Sequence, residues 1–136
     1  MKLQETDTNG AVMEVADYQI LAHSVEIVTT MCHGLSNAAG WWPQNKLERN
    51  VPEALCLIHS EISEALEGFR KDKADEHLDH HASLTVELAD AIIRICDLAG
   101  GLDLPLGKAL AEKLCYNQIR MDHKLSERAK AGGKKF

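Results

Sequence analysis

The segment from Leu84 to Ala99 constrains the fold most, because its charged residues occupy one side of an otherwise apolar helix. Eleven of its sixteen residues are apolar, and they surround most of the helix axis when successive residues turn by about 100°. Such an apolar cylinder is typical of a buried, central helix. The remaining charged side chains share a wedge of about 80°: Glu87, Asp90, Arg94 and Asp97. Because unpaired buried carboxylates are very unfavourable, this wedge must face a cavity, a counter-charge or a metal ion.

The composition of the whole chain also favours helices. Its 136 residues suit one domain, or one subunit of an assembly. Hydrophobic residues make up 45% and aromatic residues 4%, which fits packed helices better than sheets. The sequence therefore predicts a single all-α domain over residues 1–136, a helical bundle of about four helices. We expect residues 1–10 and 129–136 to be flexible.

Apolar periodicity, capping residues and glycine stop signals predict four helices, at about 11–39, 50–71, 82–101 and 103–128. Asn50 and Glu53 resemble a capping box at the start of the second helix. Asp103 is expected to cap the fourth helix, with Pro105 in its first turn.

Charge and cysteine usage limit the possible partners and compartment. The net charge is −6, which argues against binding to a nucleic acid polymer. The four cysteines are far apart and include no CxxC pair, so a reducing cytoplasm fits better than a disulfide framework. No apolar run approaches the roughly 18 residues of a membrane span, and the N-terminal residues are polar. The sequence predicts a soluble cytoplasmic protein without a membrane partner.

Two pairs of carboxylates lie three positions apart on neighbouring predicted helices. Glu61 and Glu64 belong to the second helix, and Glu87 and Asp90 to the third. Residues three apart share a helix face, so the two pairs can converge. Four carboxylates held together repel one another and need cations. Oxygen ligands without a Cys or a His partner favour Mg²⁺ or Mn²⁺ over zinc. The alternative is a solvated acidic face.

Other charged residues near these pairs have different interpretations. Glu67 is spaced for an i,i+4 ion pair with Lys71 rather than for a direct role. Arg94 and Asp97 are expected to support the site or to form a salt bridge at a subunit interface. A transition-metal site at the histidines of "EHLDHH" is a weaker alternative, because no matching ligand motif exists elsewhere.

The acidic motifs lie in segments that resemble a known family. The stretches "HSEISEALEGFRK", "VELADAIIRICDLA", "KLCYNQIRMDHK" and "GGKKF" are similar to the MazG-like branch of the all-α nucleoside triphosphate pyrophosphohydrolases. The family signature is an ExxE pair followed, after a variable connector, by ExxD. Many relatives have EExxE, whereas Ser60 stands here at the position of the additional Glu.

The resemblance implies hydrolysis of (deoxy)nucleoside triphosphates between the α and β phosphates, giving a monophosphate and pyrophosphate in nucleotide-pool house-cleaning. It assigns Glu61, Glu64, Glu87 and Asp90 as ligands of Mg²⁺, for which Mn²⁺ is a possible substitute. Glu61 or Glu64 is then expected to orient or deprotonate the attacking water. Because the third helix is apolar on most sides, we expect it to be buried against a second copy of the chain in a homo-oligomer. Members of the family form dimers or dimer-of-dimers tetramers.

Further residues are expected to hold the nucleotide. The set is Trp42, Lys113, Asn117, Arg120, Lys134 and Lys135. One of the two loop tryptophans would stack on the base, with Trp42 preferred over Trp41. The next three residues share one helical face, and the last two would close over the triphosphate. The alternatives are a core tryptophan, a solvated helix face and a solubilising terminus.

Three rival functions remain open at this point. A phosphoribosyl-ATP pyrophosphohydrolase would share the acid pattern. A carboxylate-bridged di-iron bundle would need Glu-x-x-His on two helices, which neither acidic pair has. A non-catalytic helical protein that binds a partner would show no nucleotide turnover.

Overall fold

The computed structural model describes residues 15–135, except for the side chain of Val15. Within these residues the chain forms five α-helices and no strand, so the predicted all-α fold is confirmed. The helices are α1 Val15–Ala38, α2 Val51–Lys71, α3 Ser83–Gly101, α4 Leu106–Ile119 and α5 Leu125–Arg128. Single 3₁₀ turns lie at Lys46–Glu48 and Met121–His123.

The described residues divide into two compact units. The central unit comprises residues 27–104, and the terminal unit comprises 15–26 with 105–135. In the central unit α2 and α3 pack against each other. The terminal unit contains α4 and α5.

The starts and ends of α1 and α2 follow local sequence signals. α1 ends at Ala38, and Gly40 follows with a φ of 84°, a left-handed conformation that glycine adopts without strain. The Asn50 side chain accepts a hydrogen bond from the Glu53 backbone N–H at 3.1 Å, which confirms the predicted cap of α2. The predicted start of the first helix, at 11–14, lies outside the described residues.

The fourth helix is shorter than predicted. It begins at Leu106 without a side-chain cap, and Asp103 adopts a φ of 55° instead of capping it. It ends at Ile119, because the backbone of Arg120 is extended (ψ 127°). The predicted continuous helix to residue 128 is therefore wrong, and a 3₁₀ turn and α5 replace its second half.

The residues after α5 fold back toward it. The Arg128 side chain donates hydrogen bonds to the backbone carbonyls of Lys134 and Lys135, at 3.3 and 3.2 Å. Gly132 has a φ of 79° and allows the turn that this return requires.

The central unit is held together by small residues and one tryptophan. Trp42, Ala54 and Leu98 form a buried cluster, and a Cβ at Gly101 would overlap the Trp42 ring. At the end of α2, a Cβ at Gly68 would lie 2.5 Å from the hydroxyl oxygen of Ser83. These close approaches fix α2 beside α3.

Helix α3 is less buried than its sequence predicts. Its buried apolar residues are mostly small: Ala91, Cys96, Leu98 and Ala99. Four of its larger apolar residues are exposed, namely Leu88, Ile92, Ile93 and Ile95, and Ile92 has 56% of its surface accessible. Within one chain the apolar sides of α3 are therefore only partly covered, and their burial against a second copy stays a prediction. No helix within residues 15–135 combines the length and hydropathy that crossing a bilayer requires.

Candidate functional site

Three of the four predicted carboxylates meet between α2 and α3. One carboxylate oxygen from each of Glu61, Glu87 and Asp90 lies within 4.8 Å of the others. Glu61 comes from α2, and the two acids of α3 stand one turn apart on the face that meets it. Glu61 is 6% exposed, and the other two are half-buried. The packing of two amphipathic helices therefore creates a compact acidic cluster.

Glu64 is not a member of this group of three oxygens. It is exposed, but its negative charge is one of the causes that raise the pKa of Glu87. The structure thus brings three predicted ligands together. The fourth, Glu64, lies outside the group of three oxygens but close enough for its charge to act on Glu87.

The acidic cluster carries uncompensated negative charge. The pKa of Glu87 is raised above its ordinary 4.5, first by partial burial and then by the charges of Glu64 and Glu61. The pKa of Asp90 is raised above 3.8 by partial burial and by Glu61, while Arg94 opposes the rise. Both shifts have the sign expected when like charges share a site with too few cations.

Arg94 supplies a counter-charge to the most buried member of the cluster. Its Nε donates to Oε1 of Glu61 at 2.5 Å, and its side chain is 43% exposed. The predicted supporting role of Arg94 thus takes the form of an ion pair within the chain. One guanidinium does not balance three carboxylates.

The donor set fits a hard divalent cation. It consists of carboxylate oxygens without Cys or His, which is the chemistry that Mg²⁺ and Mn²⁺ prefer. Their mutual repulsion is the unfavourable term that such a cation would offset.

Asp75, in the connector between α2 and α3, is an acid near the cluster that the sequence did not reveal. Its charge helps to raise the pKa of both Glu87 and Asp90. Its own pKa is lowered, because its carboxylate accepts backbone hydrogen bonds from Leu78 and His77, at 2.6 and 2.9 Å. Aspartate commonly accepts a hydrogen bond from the backbone two residues further on. That local signal does not predict that Asp75 lies near Glu87 and Asp90.

Asp97 anchors a hydrogen-bond network away from the three-carboxylate group. It is 8% exposed and accepts hydrogen bonds from Trp42 Nε1 at 2.7 Å and from Ser36 Oγ at 2.9 Å. The Nδ1 atom of His33 lies 3.1 Å from the same carboxylate. Asp97 therefore fixes the tryptophan loop, and the support of the acidic site or interface salt bridge expected of it stays a prediction.

The two loop tryptophans have opposite environments. Trp42, the predicted stacking ring, is 7% exposed, and the ring of His33 meets it edge-on at 4.8 Å. A base needs an open ring face, so Trp42 is unsuited to stacking in this chain and its preference over its neighbour is corrected. Trp41 is 72% exposed and offers such a face.

The predicted phosphate-binding residues lie in the terminal unit. Lys113 and Asn117 are on α4, whereas Arg120 lies beyond its end, so the three do not share one helical face as predicted. Lys113 Nζ is 4.9 Å from the centroid of the Tyr116 ring. The Oδ1 atom of Asn117 is buried and lacks a hydrogen-bond partner among the described residues.

The Asp122 carboxylate contacts two of the basic side chains that were predicted to bind phosphate. Arg120 donates to both of its carboxylate oxygens, at 2.9 and 2.6 Å, and Lys134 Nζ lies 4.0 Å from one of them. The hydrogen bonds from Arg120 are the largest cause that lowers the pKa of Asp122. Lys135 contributes its backbone carbonyl to Arg128.

An open groove of about 910 Å³ runs along the central unit. Apolar residues of α1, α2 and α3 form much of its lining, and polar groups stand at several points. The polar and aromatic residues of the lining include Trp41, Arg49, Glu53, Asp90 and Arg94. Asp90 belongs to both the lining of the groove and the acidic cluster.

Comparison with protein families, curated proteins and solved structures gives no significant match. The resemblance to MazG-like enzymes therefore depends on the motifs in the sequence.

Proposed function

We propose that the protein is a Mg²⁺-dependent nucleoside triphosphate pyrophosphohydrolase of the MazG-like kind. The observation that carries the proposal is the convergence of Glu61, Glu87 and Asp90 within 4.8 Å. These residues come from the ExxE and ExxD motifs on which the family resemblance depends. The reaction is hydrolysis between the α and β phosphates to a monophosphate and pyrophosphate.

Electrostatics support a metal-dependent reaction. A chain of net charge −6 repels a triphosphate unless cations intervene, and its acidic cluster has one arginine counter-ion. When bound there, Mg²⁺ would neutralise phosphate charge and increase the acidity of a nearby water. Glu61, Glu87 and Asp90 would hold the ion, and Mn²⁺ could replace it.

Glu64 is the residue best suited to accept a proton from water. It is exposed and forms no ion pair within residues 15–135, whereas Glu61 is bonded to Arg94. Of the two predicted bases, Glu64 is therefore the one we assign.

A homo-oligomer is part of the same proposal. Large apolar side chains on α2 and α3 are exposed, including Phe69 at 67% and Ile92 at 56%. Contiguous apolar surface on a helix commonly marks a protein interface. A dimer or a dimer-of-dimers would cover these faces.

A screen for pyrophosphate release tests the activity. Wild type would be assayed with ribo- and deoxynucleoside triphosphates and with phosphoribosyl-ATP, with and without Mg²⁺. We expect Mg²⁺-dependent release that Glu64→Ala and Asp90→Ala each reduce by at least about 100-fold. Glu67→Ala is the matched control, because Glu67 forms an exposed ion pair with Lys71 on the same helix. Equal activity of wild type and both site variants would refute the assignment, and turnover of phosphoribosyl-ATP alone would favour that related enzyme.

A further inference from the structure

Arg49 stands in the wall of the groove without a carboxylate partner. It precedes the cap of α2 and lines the same groove as Asp90. No ion pair joins it to any carboxylate of residues 15–135, although Glu53 lines the groove one helical turn further on. In a chain with six more acidic than basic charges, an unpaired arginine beside a cavity is a candidate for binding a ligand.

Its position is fixed by a chain of contacts that begins at a buried acid. Asp97 accepts from the indole N–H of Trp42, and the ring of Trp42 lies under the Arg49 guanidinium, 4.9 Å from Cζ to the ring centroid. Stacking on an aromatic ring restricts the guanidinium to one plane. The buried network therefore holds the arginine in place before any ligand arrives.

The hydrogen bonding of this guanidinium is incomplete. One terminal nitrogen donates to the Trp41 carbonyl at 3.0 Å, while Nε is buried and has no hydrogen-bond partner within residues 15–135. A guanidinium carries five N–H donors and no acceptor. One hydrogen bond within residues 15–135 leaves most of these donors unused, so the remaining terminal N–H groups can meet an arriving acceptor oxygen.

We propose that Arg49 is a substrate-binding residue, which donates to acceptor oxygens of a nucleoside triphosphate seated in the groove. This inference rests on the proposed function and adds a residue that determines affinity. The exposed ring of Trp41 borders the same groove, and Asp90 belongs to both the groove and the acidic cluster. The acceptor oxygens belong either to a keto base or to a phosphate. The base is planar and the phosphate offers several oxygens, so either group can accept hydrogen bonds from a guanidinium.

Three variants test this role by steady-state kinetics. Arg49→Gln removes the charge and the donor fork, and Arg49→Lys keeps the charge without the fork. Arg70→Gln is the matched control, because Arg70 is 70% exposed and pairs with Glu67 on the outer face of α2. We expect Arg49→Gln to raise KM by about 10- to 100-fold with kcat changed by less than about threefold. Arg49→Lys should fall between, and the control should match wild type.

Two inhibition series identify the source of the acceptor. If Arg49 meets the base, Arg49→Gln weakens inhibition by monophosphates with keto bases and leaves inhibition by inorganic pyrophosphate unchanged. If Arg49 contacts a phosphate, Arg49→Gln weakens inhibition by inorganic pyrophosphate. Either result supports the proposal, and unchanged inhibition in both series overturns it.

A measurement on the wild-type chain covers the possibility that Arg49 variants misfold. A dicarbonyl reagent modifies accessible arginines, and peptide mass spectrometry reports each site. We expect a non-hydrolysable α,β-methylene triphosphate with Mg²⁺ to protect Arg49 at least about fivefold and to leave Arg70 unprotected. Protection without any turnover would support the binding role and refute the pyrophosphohydrolase. Turnover without protection would support the pyrophosphohydrolase and refute the binding role of Arg49. If neither turnover nor protection were observed, both proposals would be overturned.

Discussion

The Nε atom of Arg94 lies 2.5 Å from Oε1 of Glu61, which joins α3 to the most buried carboxylate of the acidic cluster. This contact makes Arg94 the internal counter-ion of a site that otherwise gathers negative charge. A divalent cation would act on the same carboxylates, so the arginine and the metal would both offset the negative charge of the acidic cluster.

Removal of that counter-ion should make the protein more dependent on metal. Arg94→Gln leaves the buried Glu61 unpaired and should lower the free energy of unfolding without metal by about 1–3 kcal/mol. Added Mg²⁺ should recover more stability in this variant than in wild type, because the ion replaces the lost positive charge. Urea unfolding with and without Mg²⁺ measures both effects. Arg70→Gln, which removes an exposed pair, should change stability by less than about 0.5 kcal/mol. An Arg94 variant as stable as this control would contradict the account.

The raised pKa values of Glu87 and Asp90 predict how stability depends on pH. Folding makes both carboxyls hold their protons more tightly than the ordinary values of 4.5 and 3.8. Their favourable contribution is therefore present below these values and is lost as the pH rises through the folded pKa. The melting temperature should gain from Mg²⁺ near neutral pH. The gain should vanish at a pH below the ordinary values of 4.5 and 3.8, where Glu87 and Asp90 are protonated. An equal gain at both pH values would be inconsistent with this assignment.

Neutralising one acid should mimic part of the metal's effect. Glu87→Gln should raise the melting temperature of the metal-free protein near neutral pH by about 3–5 °C, since one like charge contributes on the order of 1 kcal/mol. The same variant should lose most of its response to Mg²⁺. Glu67→Gln, which removes a charge already paired with Lys71, should give no gain. Differential scanning calorimetry measures these shifts, and a lower melting temperature for Glu87→Gln would refute the repulsion.

The buried acceptor of the tryptophan loop should matter for stability. Asp97→Asn removes the charge that Trp42, Ser36 and His33 surround, and should cost about 1–3 kcal/mol of unfolding free energy. Tryptophan emission should shift to the red as Trp42 becomes solvated. Asp103→Asn is the control, because the Asp103 side chain is 85% exposed. Identical melting and emission for Asp97→Asn and wild type would show that the network contributes nothing.

Much of the central unit could be predicted from the sequence, because its signals are local. The spacing of Glu87 and Asp90 places them on one face whatever the rest of the chain does. The Asn50 cap likewise depends on residues three apart. The predicted convergence of the two acidic pairs required one assumption, that α2 packs against α3. The helices do pack in this way, and three of the four acids converge.

The incorrect predictions involve contacts between residues distant in sequence or a change of backbone direction. The partnership of Trp42 with Asp97 joins positions 55 apart, although a buried indole N–H generally needs an acceptor. Helix α4 continues in periodicity past Ile119, but an extended residue ends it. Asp75 lies in a connector without periodicity, so its approach to the cluster had no pattern to reveal it.

Direct titration of Mn²⁺, followed by electron paramagnetic resonance, tests the central claim, that Glu61, Glu87 and Asp90 form a divalent-cation site. Wild type should bind Mn²⁺ in competition with Mg²⁺. Glu87→Gln and Asp90→Asn should each weaken this binding by at least about tenfold, while Glu67→Gln should bind as wild type. If wild type bound no Mn²⁺, or if all variants bound it equally, the acidic cluster would not be the metal site.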